Sequence, residues 1–328
     1  MSRLLGGVLI LLGTLIAILG LLARPFIHDR VAVLPLDQSS TTTSVGEDMK
    51  ALYPHRVGKT SRLDKLDGVR LVSTRQVRGI PGKAEDQDVE ADQAFWQTTV
   101  KSQAEVNGEL VPLSYSDEGA SLDRRTGTTT NCCGDYRSIG TLEDPTKTEK
   151  IDHEGQMFTM PFNAQKQDYP WWDGDLQKAV PASFLREDTV AGVPVYVYEQ
   201  QIPEQETATR EVPGSLFGST KPGNVTAKVR YANTRTLFVE PNTGVVIKGQ
   251  EQLRRLLVAP DGTSVPVVEG TMAYDDATVD ALADEYGSKG KALAFLRGPL
   301  MPLGLGLGIV LILLGLFLMA RERRSRHA

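Results

Sequence analysis

The stretch LMPLGLGLGIVLILLGLFLMA, residues 300–320, contains no charged side chain and organises the rest of the chain. At about 1.5 Å of rise per residue, a helix of this length covers a hydrocarbon core of about 30 Å. Lys and Arg next to a membrane helix are retained in the cytoplasm, and four arginines follow at once: Arg321, Arg323, Arg324 and Arg326. The pattern predicts a transmembrane helix over residues 300–320 and a basic cytoplasmic tail over residues 321–328.

A second uncharged run, LLGGVLILLGTLIAILGLL, occupies residues 4–22. A secretory signal peptide is the alternative, but this run exceeds the roughly 7–15 apolar residues of such a peptide and no A-x-A-like cleavage site follows it. We therefore expect a second transmembrane helix after a short cytoplasmic segment, residues 1–3. Both termini are then cytoplasmic, the helices lie in the plasma (inner) membrane, and residues 23–299 form one extracytoplasmic domain.

Composition limits the function of that domain. The chain has 328 residues, 41% of them hydrophobic and 23% charged, as expected for a globular domain with added membrane anchors. The net charge is −5 although both termini carry excess arginine. An acidic domain without a Lys/Arg cluster speaks against a nucleic-acid partner and against docking on anionic lipid headgroups.

Glycines recur along one stripe of each membrane segment, at Gly6, Gly13 and Gly20 in the first and at Gly304, Gly308 and Gly315 in the second. Small residues at such spacing let helix backbones approach closely, which predicts packing of the two helices on each other. The alternative is that glycine is simply frequent in membrane helices. Neither apolar run contains an ionisable side chain, so no ion pathway through the helices is predicted.

The intervening domain reads as mostly β structure. Val193, Val195 and Val197 alternate with polar or aromatic residues, and Asn107-Gly108 predicts a hairpin turn. Residues 275–287 predict a helix capped by Asp275 or Asp276 and ending at Gly287. The predicted fold class is α+β, a β-rich extracytoplasmic domain between N- and C-terminal transmembrane helices.

Two short segments, DRRTG at residues 123–127 and EPNTG at residues 240–244, share an acidic residue followed by Thr-Gly. In each, the glycine can adopt a positive φ in a tight turn and the acidic side chain can cap that turn. The pair suggests a duplicated β unit, and chance recurrence of a common turn is the alternative.

Cys132 and Cys133 are the only cysteines and are adjacent. Outside the cytoplasm they are expected to be oxidised. A bond between neighbours closes no useful loop, so we expect a rigid apolar knob at a loop apex rather than a staple for the fold. Bonds to other chains and free thiols remain the alternatives.

The segment YPWWD contains Trp171, Trp172 and Asp173. Indole rings stack on apolar ligand faces and carboxylates accept hydrogen bonds from sugar hydroxyls, so these three residues are candidates for ligand binding. Packing in the core is the alternative for the tryptophans. Alternation along a strand predicts that at most one of them meets a ligand.

No pattern in the sequence points to catalysis. The four histidines lack metal-ligand spacing, and the extracytoplasmic segment has no G-x-S-x-G, phosphate-loop or dinucleotide motif. A glycosidase pair such as Asp173 and Asp175 would need a separation in space that spacing along the chain does not give. We therefore predict no catalytic residue, no metal site and no cofactor.

With both anchors, NCCGDYR, YPWWD and LFVEPNTGVVIKG, the chain resembles the actinobacterial porin PorA-like family of two-span envelope proteins over essentially its whole length. The family label implies a pore. Some members are linked to maturation of lipomannan and lipoarabinomannan, which implies service to envelope glycosyltransferases. Two apolar helices without polar lining cannot enclose a water-filled channel within one chain.

The resemblance leaves two functions to compare, and the sequence leaves the oligomeric state open. In the first, a non-catalytic domain binds or presents a membrane lipid or lipoglycan, and a continuous apolar cavity is expected. In the second, oligomers form a porin-like conduit.

Overall fold

The computed structural model describes residues 2–57, 60–85, 92–140, 142 and 144–325. Two compact units are present: Met1–Val33 with Ser288–Ala328, and Leu34–Gly287. The last three residues of the predicted cytoplasmic tail, among them Arg326, lie outside the described part of the chain.

Five α-helices are found in the described residues: α1 (Ser2–Leu22), α2 (Asp29–Val31), α3 (Pro81–Glu85), α4 (Asp276–Arg297) and α5 (Leu300–Ser325). A π-helical segment spans Ala23–His28 and a 3₁₀ segment spans Gly214–Phe217. The strands are β1 (Ser39–Val57), β2 (Thr60–Gly79), β3 (Gln93–Val106), β4 (Glu109–Asp123), β5 (Tyr136–Ser138), β6 (Thr148–Lys150), β7 (Tyr169–Asp173), β8 (Lys178–Val190), β9 (Val193–Pro213), β10 (Asn224–Val239), β11 (Val246–Val258) and β12 (Ser264–Tyr274). This is the predicted α+β class, rich in β structure and flanked by apolar helices.

Helices α1 and α5 form the smaller unit. The segments Leu4–Leu22 and Leu300–Arg321 are long and apolar enough to cross a membrane. Glycine faces glycine at three levels, because a Cβ added to Gly13 would lie 2.6 Å from the Gly308 carbonyl oxygen and one added to Gly20 would lie 3.0 Å from the Gly304 Cα. The third level joins Gly6 and Gly315. The backbones therefore touch along the glycine stripes.

The larger unit is built on one antiparallel sheet. Strands β1 to β6 and strands β7 to β12 each pair in sequence order, so β6 and β7 lie at the two edges, and β1 pairs with β12, for example at Ser44↔Tyr274 and Ala51↔Val268. The long-range β1–β12 pairing joins the first strand to the last.

Isolated bridges connect β4 to β7 through residues 128–129 and Gln156. Leu122 of β4 bridges Thr129, Thr128 bridges Gln156, and Gln156 bridges Trp171 of β7. The Gln156 amide donates to the Pro170 carbonyl at 2.7 Å, and the Trp172 amide donates to the Gln156 carbonyl at 2.7 Å. Together with the β1–β12 pairing, these bridges close the sheet into a barrel.

The inward face of the barrel is layered. Along β10 the alternate buried positions are first apolar, then polar, then apolar again: Ala227 and Val229, then Tyr231, Asn233 and Arg235, then Leu237 and Val239. Strand β3 has a similar order: Ala94 and Trp96, then the polar Thr98 and Ser102 with the apolar Val100 between them, then Ala104. A polar middle layer therefore lies between two apolar layers inside the barrel.

Helix α4 covers part of the outer face. Its residues Val279, Leu282, Ala283 and Tyr286 pack on a cluster that includes Val193, Val195 and Val197, as the alternation in β9 predicted. Asp275 caps the helix, because its Oδ1 accepts the Thr278 amide at 2.9 Å. The helix does not end at Gly287 as predicted. A Cβ there would lie 2.6 Å from Val193 Cγ2, so this glycine permits close packing rather than a helix stop.

The two acidic Thr-Gly segments have the same geometry. Asp123 Oδ1 accepts the Thr126 amide at 2.7 Å, and Glu240 Oε2 accepts the Thr243 amide at 2.7 Å. The following glycines have φ of +70° and +77°. Both turns also pack against the segment around Met160, since a Cβ on either glycine would approach the Met160 carbonyl oxygen. The two turns are thus equivalent in structure and share one contact.

Candidate functional site

A cavity of about 340 Å³ lies in the polar middle layer of the barrel and is called the chamber below. Its charged lining consists of Arg75, Glu118, Arg235 and Glu251, and serine and threonine hydroxyls from β1 to β4 complete the polar wall. The aromatic lining consists of Phe158, Trp171, Trp172 and Tyr274. Ser116 also lines the chamber and is exposed, so the chamber opens to solvent beside β4.

Arg235 and Glu251 form an ion pair on one wall of the chamber, with side chains that are 14% and 38% exposed. Arg235 Nε donates to Glu251 Oε1 at 2.8 Å, and Asn233 Nδ2 donates to Glu251 Oε2 at 3.0 Å. Burial by itself favours the neutral forms, but the facing carboxylates raise the pKa of Arg235 and the facing guanidinium lowers the pKa of Glu251. The two charges therefore neutralise each other within the wall.

Asp173 supports this pair from behind. It is 1% exposed, and its Oδ2 accepts the Tyr231 hydroxyl at 2.8 Å and Arg235 Nη2 at 3.4 Å. Its Oδ1 accepts the amides of Asp175 and Leu176. Burial, with the nearby Asp173 charge, raises the pKa of Tyr231. The carboxylate is thus surrounded by donors from the chain itself, and a ligand-binding role for Asp173 stays a prediction.

Both candidate tryptophans border the chamber, and the expectation that at most one of them meets a ligand stays a prediction. They do belong to different clusters: Trp171 packs with Met160 and Tyr198, and Trp172 packs with Ala120 and Met157. The chamber lies between the two clusters. Both indoles therefore line it, although they lie on opposite faces of β7. Each indole is only 5% exposed. Each tryptophan therefore packs in the core and also lines the chamber.

A hydrogen-bonded chain leads from the chamber into the wall beside β4. His153 Nε2 lies 3.1 Å from Glu118 Oε1, and His153 Nδ1 lies 3.1 Å from Asp135 Oδ2. Burial lowers the pKa of His153, but its hydrogen bonds to Asp135 and Glu118 outweigh that effect and raise the pKa to about 9. At neutral pH the imidazole is therefore charged and held between two carboxylates.

Cys132 and Cys133 form the vicinal disulfide that was predicted. Its surroundings differ from the expected knob at a loop apex, because Cys133 is 5% exposed. The loop is held inward: the Cys132 amide donates to Ser121 Oγ at 2.9 Å, and Asn131 exchanges two hydrogen bonds with the backbone of His153. The disulfide therefore braces the wall around His153 instead of projecting toward a partner.

Sequence reasoning missed five of the side chains described here. They are Arg75, Glu118, His153, Arg235 and Glu251. No short motif unites them, since they come from β2, β4, a loop, β10 and β11. One usable signal existed in β10, where Tyr231, Asn233 and Arg235 occupy the same alternating face as Val229 and Leu237. Polar residues on an otherwise buried face of a strand indicate a site.

In the part of the chain that the structure describes, no group of three or more His, Cys, Asp or Glu side chains is arranged to hold a metal ion. The Gly6, Gly13 and Gly20 stripe faces Gly315, Gly308 and Gly304 within the helical unit, as described above. A larger depression of about 580 Å³ lies on the opposite face of β2 and β3. The chamber differs from it because charged side chains of both signs and four aromatic rings converge there.

Comparison with known proteins identifies relatives along nearly the whole chain. The family model described as Porin PorA matches residues 5–317. A Porin PorA from Corynebacterium amycolatum is 25% identical over 299 residues, which covers 77% of this chain and 78% of that protein. The match includes both apolar helices and the barrel.

Proposed function

The chain belongs to the Porin PorA family, and from that premise we propose that it is a non-catalytic protein of the cell envelope that binds the polar head of a lipid or lipoglycan. The barrel holds that head and supports lipomannan or lipoarabinomannan maturation or transport, in the service of envelope glycosyltransferases. The two apolar helices anchor it in the plasma membrane with both termini in the cytoplasm.

The observation that carries this proposal is the layering of the barrel interior. The chamber lining mixes polar side chains with apolar ones such as Leu237, Val246 and Met272, and along β3 Trp96 and Ala94 lie on one side of it while Ala104 lies on the other. The space is therefore not the continuous apolar cavity expected for lipid tails. A polar wall with aromatic patches suits a hydroxyl-rich head group, and a volume of about 340 Å³ is within the range of small-ligand sites.

A porin-like conduit is the second candidate, and the family description together with the polar middle layer favours it. Two observations speak against conduction through one barrel. The apolar layers interrupt the polar path, and the outer face of β2 and β3 presents Gln76, Arg78 and Lys101, which lipid would not solvate. The wall of the barrel therefore does not suit contact with hydrocarbon.

The test uses the full chain purified from its native membrane in mild detergent. Bound amphiphiles are extracted and identified by mass spectrometry, and the same sample is reconstituted into planar bilayers. We expect a co-purifying amphiphile with a glycosylated or otherwise polar head and no conductance. Steady conductance by a sample free of amphiphile would favour the conduit instead.

A matched pair of variants locates the binding. Ser73 lines the chamber, and its neighbour Thr74 lies on the outer face of the same strand. Ser73→Phe fills the chamber and should abolish co-purification of the amphiphile, whereas Thr74→Phe should leave it unchanged. Equal retention by both variants would contradict binding in the chamber.

A further inference from the structure

We propose that Arg75 and Glu118 are the specificity-determining residues of the chamber, and that the group they recognise is a neutral sugar or other polyol with adjacent hydroxyls. This inference rests on the proposed function and names the chemistry of the bound head group. It is carried by the juxtaposition of one unused donor group and one unused acceptor atom on the same wall of the cavity.

Arg75 is held in place but leaves donors available. Its Nε donates to Thr98 Oγ1 at 3.0 Å, and its guanidinium carbon lies 5.5 Å from the centre of the Phe158 ring. Among the described residues, no acceptor is found for its two terminal nitrogens. A guanidinium that is fixed through Nε and supported by an aromatic ring presents those N–H groups in a defined orientation.

Glu118 is also held in place, but it leaves an acceptor available where Arg75 leaves donors. Its Oε1 receives the Trp172 Nε1 proton at 3.2 Å and lies 3.1 Å from His153 Nε2. No donor within the described part of the chain reaches its Oε2. The side chain is 20% exposed, so one carboxylate oxygen is used to orient the group and the other is free to accept a hydrogen bond from a ligand.

The sheet register brings these groups to the same face. Arg75 of β2 pairs with Val100 of β3, and Thr98 of β3 pairs with Glu118 of β4. Thr98 and Val100 are two positions apart, so their side chains lie on one face of the strand. Arg75 and Glu118 do not form a salt bridge with each other. They therefore flank a stretch of chamber wall as separate recognition groups.

The chemistry of a hydroxyl fits this arrangement better than a charge does. A hydroxyl accepts from Arg75 and donates to Glu118, so two neighbouring hydroxyls satisfy both groups at once. An anionic ligand would face Glu118 and Glu251, and a cationic ligand would face Arg75 and Arg235. Trp172 and Phe158 offer apolar surface for the C–H face of a sugar ring.

The inference is tested with the full chain in detergent by ligand-observed NMR titration. The probes are neutral methyl hexopyranosides, the corresponding hexose 6-phosphates, and glycine as a zwitterion. We expect hexoside binding that Arg75→Gln and Glu118→Gln each weaken by roughly 10- to 100-fold, the loss of a hydrogen bond to a charged group. Lys101→Gln, on the outer face of β3, is the matched control and should bind as the native chain does.

A milder variant guards against misfolding. Thr98→Val keeps both charged groups but removes the acceptor of Arg75 Nε, so it should weaken hexoside binding less than Arg75→Gln does. The unfolding midpoint of each variant is measured in parallel. Weakened binding by a variant that unfolds like the native chain supports direct recognition, and equal binding by Thr98→Val, Arg75→Gln and the native chain overturns it.

The remaining outcomes are also decisive. Tighter binding of a hexose phosphate or of glycine overturns the neutral-polyol assignment. If no hexoside binds while the purified chain still carries an amphiphile that Ser73→Phe loses, this inference fails and the proposed function survives. If neither a hexoside nor an amphiphile binds, both fail.

Discussion

Nε2 of His153 lies 3.1 Å from Oε1 of Glu118, a contact that joins a fully buried imidazole to the wall of the chamber. On its other side the ring faces Asp135 at 3.1 Å, and the edge of the ring meets Trp172 at a centroid distance of 4.9 Å. The charged imidazole is therefore part of the packing that orients the Glu118 carboxylate.

This contact predicts a pH-dependent stability. The pKa of His153 is raised from 6.5 to about 9 in the folded chain. A raised pKa stabilises the folded state fully below 6.5, and that stabilisation is lost as the pH rises through about 9. The free energy of unfolding should fall across this window, by on the order of 3 kcal/mol.

Denaturant titrations followed by tryptophan fluorescence at pH 6 and at pH 9.5 measure the change. His153→Gln removes the titrating group and should flatten the dependence over the same window. If the native chain and His153→Gln lose stability in parallel, another group is responsible.

The ion pair between Arg235 and Glu251 predicts a large cost for removing Arg235. Arg235→Met leaves the buried Asp173 carboxylate and the partly exposed Glu251 carboxylate without this counter-charge, which should destabilise the fold by about 3–5 kcal/mol. Arg254→Met is the matched control, because Arg254 is half-exposed and pairs with Glu204 and Glu269 at the surface. Its loss should cost about 0–1 kcal/mol. Similar unfolding midpoints in denaturant for the two variants would contradict a structural role for the internal pair.

The turn at Gly244 predicts a steric requirement that can be separated from backbone strain. Gly244 and Gly192 both have φ of +77°, but a Cβ on Gly244 would lie 2.0 Å from the Met160 carbonyl oxygen, whereas nothing lies within 4 Å at Gly192. Gly192→Ala carries only the cost of a positive φ, roughly 1–3 kcal/mol. Gly244→Ala should lower the thermal unfolding midpoint by clearly more, and an equal decrease would count against the close contact with residue 160.

The glycine stripes predict that helix α5 tolerates a methyl group at one glycine but not at another. A Cβ at Gly308 would lie 2.5 Å from the Gly13 carbonyl oxygen and 2.8 Å from the Ala17 Cβ, whereas none of the described atoms lies within 4 Å of a Cβ at Gly306. Gly308→Ala should therefore force the two helix backbones apart and weaken their packing. The resistance of the full chain to unfolding in denaturing detergent measures the loss. Gly306→Ala is the control, and an equal decrease for the two variants would refute the stated helix faces.

The sequence predicted those elements whose signal is local. Uncharged runs of about 20 residues specify the helices at either end, alternation specifies β9, and Asp275 caps α4 because a helix start depends on its nearest neighbours. The adjacent cysteines predicted the vicinal disulfide. The end of α4 was mispredicted, because Gly287 is required by a contact with Val193 that lies far away in sequence.

By itself, then, the sequence determined two apolar helices long enough to span a membrane, a β-rich domain between them, and the turns at Gly127 and Gly244. Only the tertiary structure decided that β1 pairs with β12, that the bridge through Gln156 closes the barrel, and that Arg75, Glu118 and His153 meet beside one chamber. The reason is physical: helix and turn formation depend on neighbours along the chain. The closure of a sheet depends instead on pairings between distant strands, and these pairings decide which polar side chains are enclosed together.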